Sequence, residues 1–170
     1  ADLAASWDCP ASANMRHAVL RPKSGAPCWF RLVEQPPVAG FRPTTSFGWG
    51  AFELTVKDVF GWPDRLAGSA FTIVGEPKQL PGMDAFVPMQ ALGPGQEMIY
   101  LNQVFGNMAA IDLPMAQSIS DHIFIVILAA PDRAAACDWY ARSLGLDLGE
   151  TFELPYEMIN SAFGLPNSHI

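Results

Sequence analysis

Asp121-His-Ile-Phe-Ile-Val-Ile-Leu-Ala-Ala-Pro-Asp-Arg-Ala-Ala-Ala-Cys-Asp-Trp-Tyr-Ala-Arg-Ser-Leu-Gly-Leu146 is the stretch whose reading decides the fold. His122 to Leu128 is a nearly unbroken apolar run, short and rich in β-branched residues, the pattern of a strand buried on both faces. Pro131 presets φ for a first helical turn, and acidic Asp132 is placed to complement the helix dipole. Ala136, Tyr140 and Leu144 then recur at four-residue steps, which predicts a helix of about three to four turns with one apolar face. Gly145 stands where a left-handed C-cap belongs. The stretch reads as the strand and helix that open a βα unit.

Working outward, a chain of 170 residues makes one or two domains and is long enough to bury a core. Half its residues are hydrophobic and 16% charged, a balance that speaks against disorder. No apolar run reaches the length of a membrane span, and no basic segment precedes a hydrophobic one at the start. A formal charge of −7 without a Lys/Arg cluster argues against binding nucleic acid or anionic lipid. Cys9, Cys28 and Cys137 are odd in number and widely spaced, so they form neither a disulfide framework nor a zinc pattern. They read as reduced thiols, and a cytoplasmic location is expected. The sequence lacks an initiator Met and starts mid-pattern, as a fragment or processed product would.

Asp2 to Asp8 reads as a short helix ended by Pro10, and Met15 to Leu20 and Cys28 to Glu34 as two strands joined by a turn-rich segment. Residues 39–47 lie in a Pro/Gly-rich stretch and are the linker candidate. Beyond it, Ala51 to Val56 is a strand, Pro63 to Gly68 a short helix, and Phe71 to Val74, Phe86 to Ala91 and Met98 to Val104 are strands. Residues 48–106 thus make one complete strand-helix-three-strand module, and 107–119 cross over to the stretch quoted above. The two are internal repeats: Ala51-Phe-Glu-Leu-Thr-Val and His122-Ile-Phe-Ile-Val-Ile both run into Pro-Asp-Arg, the first after three extra residues. Ser6-Trp-Asp-Cys-Pro10 and Phe163-Gly-Leu-Pro166 echo each other as short helices ending at proline. Residues 1–38 therefore read as the second half of a module and 120–170, with a further strand at Glu150 to Glu153, as the first half of one. The halves are complementary. Unless the chain is a fragment, raw strand edges should make them join, within one chain or across a homodimer.

A His opening a strand, followed by Asp-Trp-Tyr and Ser-Leu-Gly-Leu, resembles the vicinal oxygen chelate superfamily of glyoxalases, bleomycin-resistance proteins and extradiol dioxygenases. The resemblance implies an α+β fold in which paired βαβββ modules form a cup-shaped curved mixed sheet with helices outside. In metal-using members each module supplies a ligand from the start of its first strand and one from its last strand. Carried over, that pattern falls on His122, on Glu34 in Trp-Phe-Arg-Leu-Val-Glu, and on Gln103 in Met-Ile-Tyr-Leu-Asn-Gln. Ala51 occupies the fourth position and cannot bind a metal, with Glu53 on the same strand face as its substitute.

The resemblance implies a divalent metal acting as Lewis acid on a small oxygenated substrate, with Glu53 moving the proton; no organic cofactor is expected. Lyase or isomerase chemistry ranks above ring-opening dioxygenation, which normally wants two His and one carboxylate. The alternative is a metal-free small-molecule binding protein of the bleomycin-resistance type, which Ala51 favours. Each residue also has a bland reading. His122 beside Asp121 suits a hydrogen-bonded strand end, Glu34 before Gln-Pro-Pro a solvated one, and Gln103 next to Asn102 a polar terminus. His17 reads as a surface or interface residue, and His169 as a terminal one. Trp49, Phe52, Trp62 and Phe71 read as core or module interface.

Overall fold

A computed structural model gives the structure of the protein and describes residues 2–108, 112–151 and 157–162. In chain order the elements are α1 (Asp2–Ser6), β1 (His17–Leu20), β2 (Phe30–Val33), β3 (Gly48–Val56), α2 (Trp62–Leu66), β4 (Thr72–Gly75), β5 (Phe86–Leu92), β6 (Met98–Val104), β7 (Ser120–Ala129), α3 (Arg133–Leu144) and α4 (Glu157–Ala162). The class is α+β. Five strands form one mixed sheet in the order β4-β5-β6-β3-β7, and β1 and β2 form a separate antiparallel pair.

The sheet is mixed because of its centre. β3 runs parallel to β6, with Ala51 opposite Met98 and Glu53 opposite Tyr100, and antiparallel to β7, with Ala51 opposite Ile127 and Glu53 opposite Ile125. A parallel pair needs a crossover, and the segment through α2, β4 and β5 supplies it. β5 and β6 are joined by a tight turn at Gly93-Pro-Gly95, closed by a hydrogen bond from Gly93 N to Glu97 O of 2.8 Å. The left-handed residue of that turn is Gln96 (φ 66°), not a glycine. Strand alternation then divides the sheet into two faces. On the back, Val56, Val59, Val87, Met89 and Leu101 form the main core, with Trp62 and Leu66 packed against it. On the front, Ala51, Met98 and Tyr100 are buried, with Ile127 and Ile159 against them.

Three expectations need correction. β7 is not buried on both faces: among the described residues it is the edge strand, and Ile125 and Val126 are 41% and 55% exposed. α3 buries none of its residues, and Leu144 of its expected apolar face is 60% exposed. Its boundaries were nonetheless legible. Asp132 serves as N-cap, accepting from Ala135 N at 2.9 Å, so the helix begins two residues after Pro131. Gly145 ends it at φ 66°, a backbone that L side chains avoid. Third, within the chain β2 and β7 lie in different sheets. The β1–β2 hairpin touches the large sheet through side chains: Phe30 stacks on Phe52 at 5.0 Å between ring centroids, and Ile123 N donates to Cys28 Sγ at 3.4 Å. The repeated motif at Phe163 to Pro166 and most of the strand at Glu150 to Glu153 lie outside the described residues. Residues 34–47 contain turns but no strand or helix, and all three cysteines are free. Among the described residues no helix is long and apolar enough to cross a membrane.

Asp121 fastens the start of β7. It is buried, and its carboxylate accepts from Ser24 Oγ at 2.7 Å, Gln117 N at 2.6 Å and Ser118 N at 3.0 Å. Burial pushes this carboxyl up, but the three donors and the neighbouring His122 outweigh it and hold the group below its ordinary value. Its contribution is therefore present above the unfolded value of about 3.9 and is lost as pH falls through the folded one. Asp121→Asn, which removes the charge and keeps the volume, is expected to cost about 1–3 kcal/mol in chemical denaturation at pH 7. A loss of only a few tenths would mean that the carboxylate does not organise this loop.

Candidate functional site

The polar residues of the sheet gather on its front face in two cross-strand rows. One runs Gln90, Tyr100, Glu53, Ile125 across β5, β6, β3 and β7. The next holds Asn102 opposite Thr55, whose Oγ1 accepts from His122 N at 3.1 Å. Gln90, Tyr100, Thr55 and Asn102 are all buried. They sit in strands whose other residues are mostly apolar, because a strand pays for a buried polar side chain unless it meets a partner.

Glu53 is the titratable group at the centre. Its Oε2 accepts from Asn102 Nδ2 at 2.9 Å. Burial drives its carboxyl up, the Asn102 hydrogen bond offsets part of that, and the result is a group pushed up to about 7. Asn102 Oδ1 and both amide atoms of Gln90 are buried without a hydrogen-bond partner. Gln90 Oε1 lies against Gly75, where an added Cβ would come within 2.7 Å, so that amide is directed toward β4. Asn102 is joined to Glu53 and has acceptor capacity to spare. On the β7 side Ile125 stands directly opposite Glu53 and is 41% exposed.

The residues predicted from the sequence are not all brought here. Glu53 is central, and His122 joins the second row through its backbone, with its Nδ1 3.3 Å from Asp121 Oδ1. Gln103 alternates onto the back face, where its Oε1 accepts from Val59 N at 2.9 Å and closes the turn before α2. Glu34 follows β2 in the other sheet and is paired with Arg16, whose Nε donates to Glu34 Oε2 at 2.8 Å; that bond holds the exposed Glu34 carboxyl below its usual value. Within one chain His122, Glu34 and Gln103 are thus not brought together. Among the described residues no three His, Cys, Asp or Glu side chains converge as metal ligands do. No protein-family model matches the chain, and no curated protein or solved structure does either.

Tyr100, Asn102, Thr55 and Gln90 were not singled out in the sequence. For Tyr100 and Asn102 the signal was present: they alternate in Met98-Ile-Tyr-Leu-Asn-Gln103, one step out of phase with Gln103. Choosing between the two phases requires knowing which face α2 covers, and that is a tertiary fact.

The half-buried carboxyl predicts its own pH dependence. Between the ordinary carboxyl value and about 7 the folded protein holds a proton at Glu53 that the unfolded chain releases, so stability falls as pH rises through that window. Glu53→Gln is isosteric and cannot ionise. It is expected to be more stable than the wild type at pH 8, by up to about 3 kcal/mol, with the gap closing near pH 5. Denaturation curves at the two pH values measure this, and an unchanged gap would place the Glu53 carboxylate in solvent.

Proposed function

We propose that the front face is a small-molecule site at which Glu53 moves a proton, and that the protein is a lyase or isomerase acting on a small oxygenated substrate. The observation that carries this reading is a half-buried carboxyl, pushed up to about 7, bonded to a buried asparagine that still has an unused acceptor atom. A general base or acid works best when its pKa lies near the working pH, since both protonation states are then accessible. Charge buried at a cost to stability is the usual mark of a group kept for its chemistry.

The steps follow from the neighbours. Ionised Glu53 takes a proton from a carbon next to a carbonyl, and protonated Glu53 returns it to the adjacent carbon. Asn102 Nδ2 holds the carboxyl in place through its 2.9 Å bond, so that little reorganisation is needed at the moment of transfer. Tyr100, directly opposite Glu53, is the nearest neutral side chain by register to steady the oxygen on which charge develops. Because Glu34 and Gln103 are engaged elsewhere, no step is routed through a metal.

The wider reading is that of the vicinal oxygen chelate superfamily. What supports it is the order β3, α2, β4, β5, β6, the parallel pairing of β3 with β6, and the antiparallel pairing of β3 with the repeat's first strand β7. In that reading the front face is the inside of a cup built from paired βαβββ modules, and a homodimer would pair the two half modules. A second function is favoured by Ala51, Ile125 and Ile127 beside Glu53: an apolar-walled site that binds a small molecule without changing it.

Incubating the protein in D2O with a panel of small enolisable ketones and aldehydes, followed by proton NMR, tests the reading. Protein-dependent loss of the α-proton signal is expected, rising with pH through about 7 and falling about 10²–10⁴-fold in Glu53→Gln. Binding without exchange would assign the site to the sequestering function instead. Equal exchange by wild type and Glu53→Gln would remove Glu53 from the chemistry.

A further inference from the structure

We infer that the hollow between the β1–β2 hairpin and the back of the large sheet binds a small organic ammonium ion with an aromatic or similarly apolar body. It lies on the face of β3 opposite Glu53, so the inference is independent of any proton transfer there. α2 and the turn before it cover the back face around Val56 and Leu101. Beside that core the hairpin stands over the sheet and leaves a pocket of about 560 Å³. Phe52, Leu54 and Ile99 line it from the sheet, and Leu20, Phe30 and Leu32 from the hairpin. Protein interiors close-pack and leave few voids larger than a water molecule. A space of this size falls within the range of small-molecule sites, about 300–1,000 Å³.

The walls select the apolar body. Phe30 and Phe52 stand 5.0 Å apart between ring centroids, and Phe71 borders the same space. All three rings, with Leu54 and Ile99, are only half-buried, so an apolar ligand removes their remaining surface from water.

Glu97 selects the charge. It is half-buried and borders the pocket beside Gly95. Its carboxylate folds back over the β5–β6 turn, where a Cβ on Gly95 would come within 2.9 Å of Oε2 and one on Gly93 would collide with Oε1. The two glycines make the room it occupies. Among the described residues this carboxylate has no hydrogen-bond or ion-pair partner. A carboxylate beside phenyl rings suits a cation, because the negative oxygens and the ring faces both attract positive charge. Two arginines also border the pocket, but indole rings hold their guanidinium groups: Arg21 over Trp29 at 5.6 Å and Arg31 over Trp7 at 5.7 Å. Arg31 alternates with Phe30 and Leu32 in β2, and with Trp7 and His17 it lines a separate pocket. The formal charge of −7 draws cations in the same sense.

Phenethylamine, phenethyl alcohol and phenylacetate share one phenyl body and are cationic, neutral and anionic at pH 7, so they serve as the probes. Titrations of the whole protein followed by amide NMR shifts are expected to give the amine a Kd at least about tenfold below that of the alcohol, with no measurable binding of phenylacetate. Glu97→Gln keeps the volume and is expected to raise the amine's Kd to that of the alcohol, leaving the alcohol's unchanged. Leu32→Trp, at a half-exposed position on the hairpin, fills the pocket and is expected to abolish binding of both. Amine and alcohol binding equally to the wild type, or an amine Kd indifferent to Glu97→Gln, overturns the charge selection. Amine binding that survives Leu32→Trp, or no binding of any probe to the wild type, overturns the site itself.

Discussion

The structure depends on β3 being paired on both edges, parallel to β6 and antiparallel to β7. A strand fixed from both sides cannot slip, because a shift of one residue would turn every side chain to the other face. That constraint puts Phe52, Leu54 and Val56 toward the back and Ala51, Glu53 and Thr55 toward the front. The back face takes the apolar side chains of α2 and the turn before it, and this is where burial contributes most of the stability. The front face is left to carry the polar rows. The parallel pair with β6 matters equally, because it brings Tyr100 and Asn102 alongside Glu53 and Thr55 from a segment about fifty residues away.

A carboxyl in such a place opposes folding. Desolvation is the larger influence on Glu53 and the single hydrogen bond from Asn102 is the smaller, so the ionised form costs the folded state free energy at neutral pH. A glutamine would fit the same space without that cost. Retaining the acid is reasonable where the proton itself is used, and the same low-dielectric surroundings that burden folding strengthen every dipole directed at a reacting group. The contrast with the Arg16–Glu34 pair is informative. That pair is well formed and exposed, so water weakens it and leaves it little bearing on stability or chemistry.

Among the described residues, α3 is held less tightly than the strands. β7 is paired on one edge, α3 buries no residue, and Trp139, Leu144 and Leu146 stand more than half exposed. Local pieces here are sound, with a capped helix start and a left-handed glycine at its end. Among the described residues β7 joins the sheet by pairing with β3, Trp49 meets Tyr140 edge-on at 6.1 Å, and Asp121 holds the loop before β7.

By itself the sequence determined what is local. The strands of 48–104, the tight turn between β5 and β6, the start and stop of α3 and the repeat of Pro-Asp-Arg were legible, because alternation, capping and turn chemistry act over a few residues. The sequence also put Glu53 on the same strand face as Ala51, as two residues apart in a strand must be. Tertiary structure decided the rest. It gave β7 an open edge where composition suggested a buried strand, since exposure depends on what lies alongside. It kept β2 out of the large sheet, since pairing between distant segments is not written in either one. It turned Gln103 to the back face and Asn102 to the front, since the phase of a strand is set by what covers each side of the sheet. Glu34 looked like a ligand in sequence and is committed to Arg16 in space. The place of Glu53 in its strand could be read from the chain, but its neighbours are set by the register of β3 against β6.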